Sequence, residues 1–286
     1  MPSTRTLSLT GLAMIAFAGN SLLCRLALKT TGIDAVSFTG IRLFSGALML
    51  TLLLKLRHRA ASDGGNWRAA AALFVYAAAF SYAYVQLDAG TGALLLFGAV
   101  QVTMILVGLL RGESLRGQAL FGFLLALGGL LVQLLPSASA PPLAGALLML
   151  LSGVAWGLYS LLGRTGSDPL AISSGNFVRA IAFAALLAAI FHADLRLDMP
   201  GLVYAVLSGA VASGIGYAIW YSALPGLSAI QGASVQLSVP ILAALSGAVL
   251  LGEAISLRLA LVSLAVLGGI ALILLAKVRA PAVQRA

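Results

Sequence analysis

Apolar stretches of about 20 residues follow one another along almost the whole chain, separated by short polar breaks. A stretch of this length crosses the hydrocarbon core of a bilayer as an α-helix, and no part of the chain shows the alternation of an outer-membrane barrel strand. The pattern predicts an all-α polytopic membrane protein with ten transmembrane helices. The predicted spans are Leu7–Leu28, Ala35–Leu56, Trp67–Leu87, Thr91–Leu110, Gly117–Leu135, Leu143–Gly163, Ala171–Phe191, Leu202–Ala223, Ser228–Leu251 and Leu257–Ala276.

The two halves of the chain carry the same residues at matching distances. Tyr82 and Gln101 lie 135 residues before Tyr217 and Gln236. Because each half has an odd number of spans, a duplication places the halves in opposite orientations, as in many alternating-access transporters. We therefore expect two inverted five-helix repeats, residues 1–135 and 143–286, joined by a linker at 136–142. The other matched sets are Arg42 with Arg179, Gly112-Glu113 with Gly252-Glu253, and Gly128-Gly129 with Gly268-Gly269.

Composition and charge exclude other classes of protein. With 61% hydrophobic residues, 9% charged residues and a mean hydropathy of +1.06, the chain is not a water-soluble domain. The net charge of +9 does not point to nucleic acid, because the positive residues concentrate in alternate loops. Placing both termini in the cytoplasm satisfies the positive-inside rule. Eleven Lys and Arg residues then face inward (Arg5, Lys55, Arg57, Arg59, Arg68, Arg111, Arg116, Arg164, Lys277, Arg279, Arg285) and three face outward (Lys29, Arg196, Arg258).

Several kinds of chemistry have no support in the sequence. Cys24 is the only cysteine, and His58 and His192 are far apart with no second ligand at metal spacing. No nucleophile–base grouping suggests an enzyme, and no phosphate-binding loop suggests an ATP-driven pump. No cofactor is expected. No Asp or Glu lies deep in a predicted span, where ion-coupled carriers commonly place one, so we expect facilitated transport.

Two glutamines give the sharpest functional signal. Gln101 lies about ten residues into the fourth span and Gln236 about eight residues into the ninth, so both fall near the bilayer midplane. A primary amide in hydrocarbon needs partners or water. A single buried glutamine is readily explained by a hydrogen bond between helices, whereas two at matching positions favour the lining of a central cavity. An amide can donate to a carboxylate and accept from an ammonium group.

Aromatic residues cluster on a few spans and predict a wall for an apolar solute. Trp156 and Tyr159 share one helical face, and Trp156 lies too deep in its span for an interfacial aromatic belt. We therefore take Asn20, Tyr82, Trp156, Tyr159, Tyr217 and the two glutamines as candidate substrate-binding residues. Pro240 follows Gln236 by four residues, which frees the carbonyl of Gln236 for a ligand or simply kinks the helix.

Charged residues near the span ends are interpreted as structural or gating elements. Arg42 and Arg179 lie seven or eight residues into their spans, where a guanidinium can extend toward the nearer membrane surface. Glu113 and Glu253 follow glycines at the ends of the fourth and ninth spans, close to Arg116 and Arg258, and are interpreted as corner-locking pairs. The glycine pairs allow close helix packing.

Taken together, these features resemble the drug/metabolite transporter superfamily, EamA type, over nearly the whole chain. The residues that carry the resemblance are the repeated arginines, Gly-Glu corners and Gly-Gly pairs. Within that family the chain looks like the bacterial aromatic amino acid exporters. The resemblance implies a bundle in which the first four helices of each half line a central cavity. It also implies location in the bacterial inner membrane, and export.

We therefore expect an inner-membrane exporter of neutral or zwitterionic metabolites, above all aromatic amino acids. Its partners are a small-molecule solute and the lipid bilayer, without nucleic acid; the sequence does not set the oligomeric state. One alternative is an exporter of drugs or nucleotide-linked sugars. Another is a non-transporting membrane receptor or subunit.

Overall fold

The computed structural model describes residues 3–57, 64–110, 112, 115–136, 140–162, 168–227 and 235–275, and these residues contain helices and no strands. Within them, seven helices are long and apolar enough to cross a membrane, and three apolar helices are shorter. The prediction of an all-helical polytopic membrane protein is confirmed. We number the helices α1 Thr4–Thr30, α2 Ala35–Leu56, α3 Trp67–Gln86, α4 Ala89–Leu110, α5 Gln118–Leu134, α6 Leu143–Leu162, α7 Pro169–Ile190, α8 Met199–Ala223, α9 Ser238–Leu251 and α10 Leu257–Leu275.

Short polar side chains begin many of these helices. Ser3, Asn66, Asp34, Asp168 and Asp198 each accept a hydrogen bond from a backbone N–H in the first turn of the helix that follows. These bonds satisfy amide groups that have no partner within the helix. The polar breaks between apolar stretches thus set where the helices begin.

The helices pack in pairs that map onto one another when each helix is exchanged with the one five positions away. Contacts between α3 and α6 have their counterpart between α8 and α1, and those of α4 with α6 correspond to those of α9 with α1. The pairs α2–α7, α4–α9 and α5–α10 map onto themselves. The duplication seen in the sequence is therefore present in the packing.

Helices α5 and α10 meet through glycines. A side chain added at Gly269 would place its Cβ 2.5 Å from the carbonyl oxygen of Gly122, and one at Gly129 would lie 2.8 Å from Val266. Gly128 and Gly268 face open space. One glycine of each predicted pair therefore packs a helix interface. The predicted glycine turns are also present, since Gly112 and Gly252 have φ angles of +90° and +64°.

Helix α8 is interrupted where it crosses α2. Residues Leu207–Ile215 are π-helical, between α-helical segments Met199–Val206 and Gly216–Ala223. Gly209 lies in this segment, and a Cβ there would collide with the carbonyl oxygen of Arg42 and the hydroxyl of Ser45. Irregular π turns often mark functional regions, and this one brings the two halves together beside Arg42.

Candidate functional site

Arg42 reaches into the middle of the bundle instead of extending toward a surface. Its side chain is 1% exposed, and Nη2 donates a 2.8 Å hydrogen bond to the hydroxyl of Tyr76. The guanidinium carbon lies 5.2 Å from the ring centre of Tyr76 and 4.8 Å from that of Phe80. Among the described residues, Nε and Nη1 have no hydrogen-bond partner. The centre of the bundle thus holds a cation with unused donors.

A chain of hydrogen bonds leads from Arg42 to the second half of the protein. The hydroxyl of Tyr76 also accepts a long, 3.4 Å bond from Nδ2 of Asn20, and Oδ1 of Asn20 accepts a 2.6 Å bond from the hydroxyl of Ser208. Ser208 belongs to the π-helical part of α8. On α6, Ser152 donates to the backbone carbonyl of Tyr76 at 3.0 Å. Five helices, α1, α2, α3, α6 and α8, therefore converge on Tyr76 and Arg42.

Aromatic rings from both halves surround this point. The ring centre of Trp156 lies 4.7 Å from that of Tyr76, 5.3 Å from that of Tyr159 and 5.5 Å from that of Tyr217. Such separations are typical of interacting aromatic pairs. We call Arg42, Asn20, Tyr76, Trp156, Tyr159, Tyr217 and Ser208 the central cluster. Phe17, Phe177 and Tyr221 pack around Tyr217 at 6.0 to 6.4 Å.

Trp156 is partly accessible although it lies on the inward face of α6. The exposed face of α6 carries Leu147, Leu151 and Leu158, and Trp156 lies on the opposite face. Ser152 shares that inner face and is fully buried, yet Trp156 itself is only half-buried. A water-sized probe therefore reaches part of the Trp156 side chain.

The structure brings four of the predicted binding residues, Asn20, Trp156, Tyr159 and Tyr217, into the central cluster. Gln101 is buried on α4, and no hydrogen bond within the described residues joins it to the cluster. Gln236 is half-buried two residues before α9 begins, and Pro240 is buried in the first turn of α9. The roles predicted for these three residues stay predictions.

Tyr82 lines a different pocket, at the end of the bundle where α1 and α3 finish and α2 begins. This pocket has a volume of about 530 Å³ and also contains Asp34, Gln86, Asp194 and Arg196 among its lining residues. None of Tyr76, Trp156 and Tyr217 lines it. Tyr82 is thus separated from the central cluster.

A second charged group, here called the outer cluster, consists of Arg25, Lys29, Asp88 and Glu253. Nε of Arg25 donates to Glu253 at 2.9 Å, and Nη2 donates to Asp88 at 3.1 Å. Nη1 donates to the carbonyls of Tyr84 and Val85 at 2.9 and 3.1 Å. Glu253 also accepts from the first amide of α4, that of Ala89, at 2.8 Å, and lies 3.7 Å from Lys29.

The outer cluster corrects the expected partner of Glu253. The sequence suggested Arg258, which is near in the chain, but Arg258 donates to the backbone carbonyls of Val132 and Leu135 at the end of α5. Glu253 bonds across 228 residues to Arg25, and it caps α4 rather than the helix that follows it. Glu113, its counterpart in the repeat, lies outside the described residues.

Arg179 differs from Arg42 despite the matching position in the repeat. It is half-buried, and Nη1 donates to the carbonyls of Gly64 and Gly175 at 2.9 and 3.0 Å. Beside it, Asn176 accepts a 2.9 Å bond from the amide of Asn66. These contacts hold the segment before α3 against α7, which gives Arg179 the structural surroundings that the sequence suggested for both arginines.

Sequence reasoning did not single out Tyr76, Phe80, Ser208 or the role of Arg25. Tyr76 lies nine residues into a helix of 20, too deep for an interfacial belt, and that depth was the available signal. Ser208 is one of many small hydroxyl residues, and nothing in the sequence distinguishes it.

Comparison with known proteins now decides the family. The profile of the EamA-like transporter family matches residues 5–135 and 143–275, one match in each half. The chain belongs to the EamA-like transporter family. Membership makes it a multi-pass membrane transporter for a small solute, as expected, and leaves the solute open.

Two individual proteins are also similar to this chain. An uncharacterized protein of Pseudomonas aeruginosa is 77% identical over 275 residues, which is 96% of each chain. A solved crystal structure matches 95% of this EamA-like chain and 96% of its own with a TM-score of 0.66 and 19% identity. At that identity the second match shows the fold alone.

Proposed function

We propose that this EamA-like transporter exports aromatic amino acids, as zwitterions, across the bacterial inner membrane. The single observation that carries the proposal is the aromatic enclosure of the central cluster, where Trp156 lies within 5.5 Å of rings from α3, α6 and α8. Aromatic walls with a few polar groups suit a flat, largely apolar solute. Asn20, Tyr76 and Arg42 supply such groups.

The proposed mechanism is alternating access between two inverted repeats with both termini in the cytoplasm. It is supported by helix pairs that map onto one another when the halves are exchanged, and by the positive-inside distribution of charge. The outer cluster joins α1 of the first half to the α9–α10 connection of the second, so it closes the outer end when formed. Opening that end requires Arg25 and Glu253 to separate.

Transport is proposed to be facilitative. The carboxylates of Asp88 and Glu253 lie at the outer helix ends and already bind Arg25. A carboxylate within the pathway, which a proton- or sodium-coupled carrier would use, is not present in the central cluster as described. The solute gradient then drives export.

The test is counterflow of labelled phenylalanine in proteoliposomes that contain only the purified protein. We expect uptake against unlabelled phenylalanine without an imposed ion gradient. Trp156→Ala should reduce the rate at least about tenfold, because it removes the ring shared by three partners. Trp67→Ala, which alters an exposed tryptophan packed against Phe183, is the matched control and should transport normally.

Two outcomes would overturn the proposal. No counterflow of any aromatic amino acid by a folded protein would favour a non-transporting role. Counterflow of hydrophobic drugs alone would favour the drug-exporting alternative. Dependence on an imposed proton or sodium gradient would remove the facilitative mechanism while leaving the substrate class intact.

A further inference from the structure

Arg42 is buried without a counterion among the residues that the structure describes. Every ion pair among the described residues belongs to the outer cluster: Arg25 with Asp88, Arg25 with Glu253, and Lys29 with Glu253. Arg42 instead has one hydroxyl and two aromatic ring faces. Among the described residues, the charge of Arg42 therefore faces only neutral groups.

Burying a guanidinium without a counterion costs free energy in a bundle that spans a membrane. A buried charge is normally paired, and a cation over an aromatic face recovers only part of the lost hydration. Tyr76 takes one N–H of Nη2, whereas Nε and Nη1 together carry three of the five guanidinium donors and have no partner in the described part of the chain. The guanidinium has both the charge and the donors to receive an anion.

We infer that Arg42 is the receptor for the carboxylate of the transported solute. The inference rests on the proposed function and assigns to Arg42 the carboxylate that all the proposed substrates carry. A carboxylate matches the planar fork of a guanidinium and can form two parallel N–H···O bonds. The solute's ring then lies against Tyr76, which contacts Arg42, and against Trp156 and Tyr217, which continue from Tyr76 in ring contact. Aromatic amines without a carboxylate leave the guanidinium unpaired and bind weakly.

Tyr76 is the positioning residue for this receptor. Its hydroxyl accepts from Arg42 and, over a longer distance, from Asn20, so both lone-pair directions are used and the guanidinium is held from one side. Ser208 fixes Asn20 from α8 at 2.6 Å, and Gly209 packs against the backbone of Arg42. A solute bound to Arg42 is thereby linked to the π-helical segment of the second half.

The test uses four phenyl compounds that differ in the ionisable groups they carry. They are phenylalanine, 3-phenylpropanoate without the ammonium group, phenethylamine without the carboxylate, and phenylalaninamide with a neutral amide in its place. Binding to the purified wild-type protein is measured by thermal shift and by tryptophan fluorescence. We expect the two carboxylates to bind, and the other two compounds to bind on the order of 10- to 100-fold more weakly.

This comparison separates the inference from the proposed function. Equal binding of phenethylamine and phenylalanine overturns the role of Arg42, even if phenylalanine is transported. Binding of the carboxylates without counterflow supports the role of Arg42 and overturns the transport proposal. Binding of none of the four overturns the inference.

Two matched variants locate the effect. Arg42→Lys keeps the charge and loses the fork, and we expect carboxylate binding to fall on the order of 10- to 100-fold. Arg179→Lys, at the matching position of the repeat, should bind as the wild type does. Equal losses in the two variants would mean that Arg42 acts only through the fold.

Discussion

Arg25 and Arg42 are both buried arginines of the first half, yet their surroundings differ in kind. Arg25, in the outer cluster, is 7% exposed and donates to two carboxylates and two backbone carbonyls. Arg42, at the centre, is 1% exposed and donates to a single hydroxyl. All three guanidinium nitrogens of Arg25 therefore have partners, whereas two of those of Arg42 have none among the described residues.

This difference separates residues that hold the fold from residues that serve a ligand. A fully paired buried arginine contributes to stability only as long as its partners remain, since losing one leaves a buried charge. A poorly paired one lowers the stability of the empty protein and is retained where it has a function. The two regions should respond oppositely to the loss of charge.

The largest effect on stability is expected from breaking the outer cluster. Glu253→Gln removes the charge that faces Arg25, and we expect the free energy of unfolding to fall by about 3 to 5 kcal/mol. Thermal and denaturant unfolding in detergent would measure it. Asp88→Asn is the control: the carboxylate of Asp88 is 49% exposed, so its loss should cost about 1 kcal/mol or less. Similar losses for both variants would contradict the expectation that Glu253 contributes more to stability than Asp88.

Replacing each arginine by methionine should sharpen the contrast. Arg42→Met removes an unpaired charge and keeps an apolar stem, so we expect unfolding at the same temperature or higher, with phenylalanine flux reduced at least about 100-fold. Arg25→Met leaves Glu253 without its main partner and should unfold at a lower temperature. A marked loss of stability in Arg42→Met would show that the central arginine holds the fold as well.

The fold was predictable because apolar stretch length and short polar caps are local properties. The helix boundaries were less so where a distant residue sets them. The fourth span was expected to begin at Thr91, but α4 begins at Ala89, whose amide is bound by Glu253 from the other half. The π-helical segment of α8 was not predicted, because it accommodates the backbone of Arg42 across a helix crossing.

The site was predictable only in part. Counting residues along a helix gives the depth of a side chain, but it does not show which side of the helix faces the centre of the bundle. The sequence placed Arg42 inside the membrane and suggested that it extends toward the nearer surface, whereas its hydroxyl partner Tyr76 lies on another helix and holds it inward. Tyr82, six residues and nearly two turns beyond Tyr76, lines the pocket that contains Asp34 and Arg196, and its predicted contact with the solute stays a prediction. Tertiary packing decided which tyrosine of α3 faces the centre.

Removing the hydroxyl of Tyr76 should perturb the central cluster less than removing the charge of Arg42. Tyr76→Phe takes from Arg42 its single described hydrogen bond and keeps the ring, so we expect phenylalanine binding to weaken about tenfold. Tyr84→Phe, on the same helix, removes a hydroxyl that donates to the carbonyl of Ala89 at 3.3 Å and should leave binding unchanged. Direct binding to purified variants would measure both, and equal effects would remove Tyr76 from the positioning role.

The smallest effect concerns the connections at the outer end, where two aspartates each cap one helix and bind the other connection. Asp34 caps α2 and accepts from the amide of Arg196, and Asp198 caps α8 and accepts from the amide of Gly32. Burial alone would raise the pKa of Asp34, but hydrogen bonds from Ser37, Arg196 and Val36 lower it on balance. The hydrogen bond from Gly32, above all, lowers the pKa of Asp198.

A pKa that is lower in the folded chain gives stability above the unfolded pKa, and this stability is lost as the pH falls through the lowered folded value. We therefore expect the unfolding temperature to be flat at neutral pH and to fall once the pH drops into and below the ordinary aspartate range. Asp198→Asn should flatten that acid limb slightly, because it removes one of the two carboxylates with a lowered pKa. The carboxyl group of phenylalanine, next to an ammonium group, is more acidic than that of aspartate. Because the central cluster contains no carboxylate among its members, binding of phenylalanine to Arg42 should persist over the pH range in which these connections begin to loosen. Parallel loss of binding and stability would mean that the two regions are not independent.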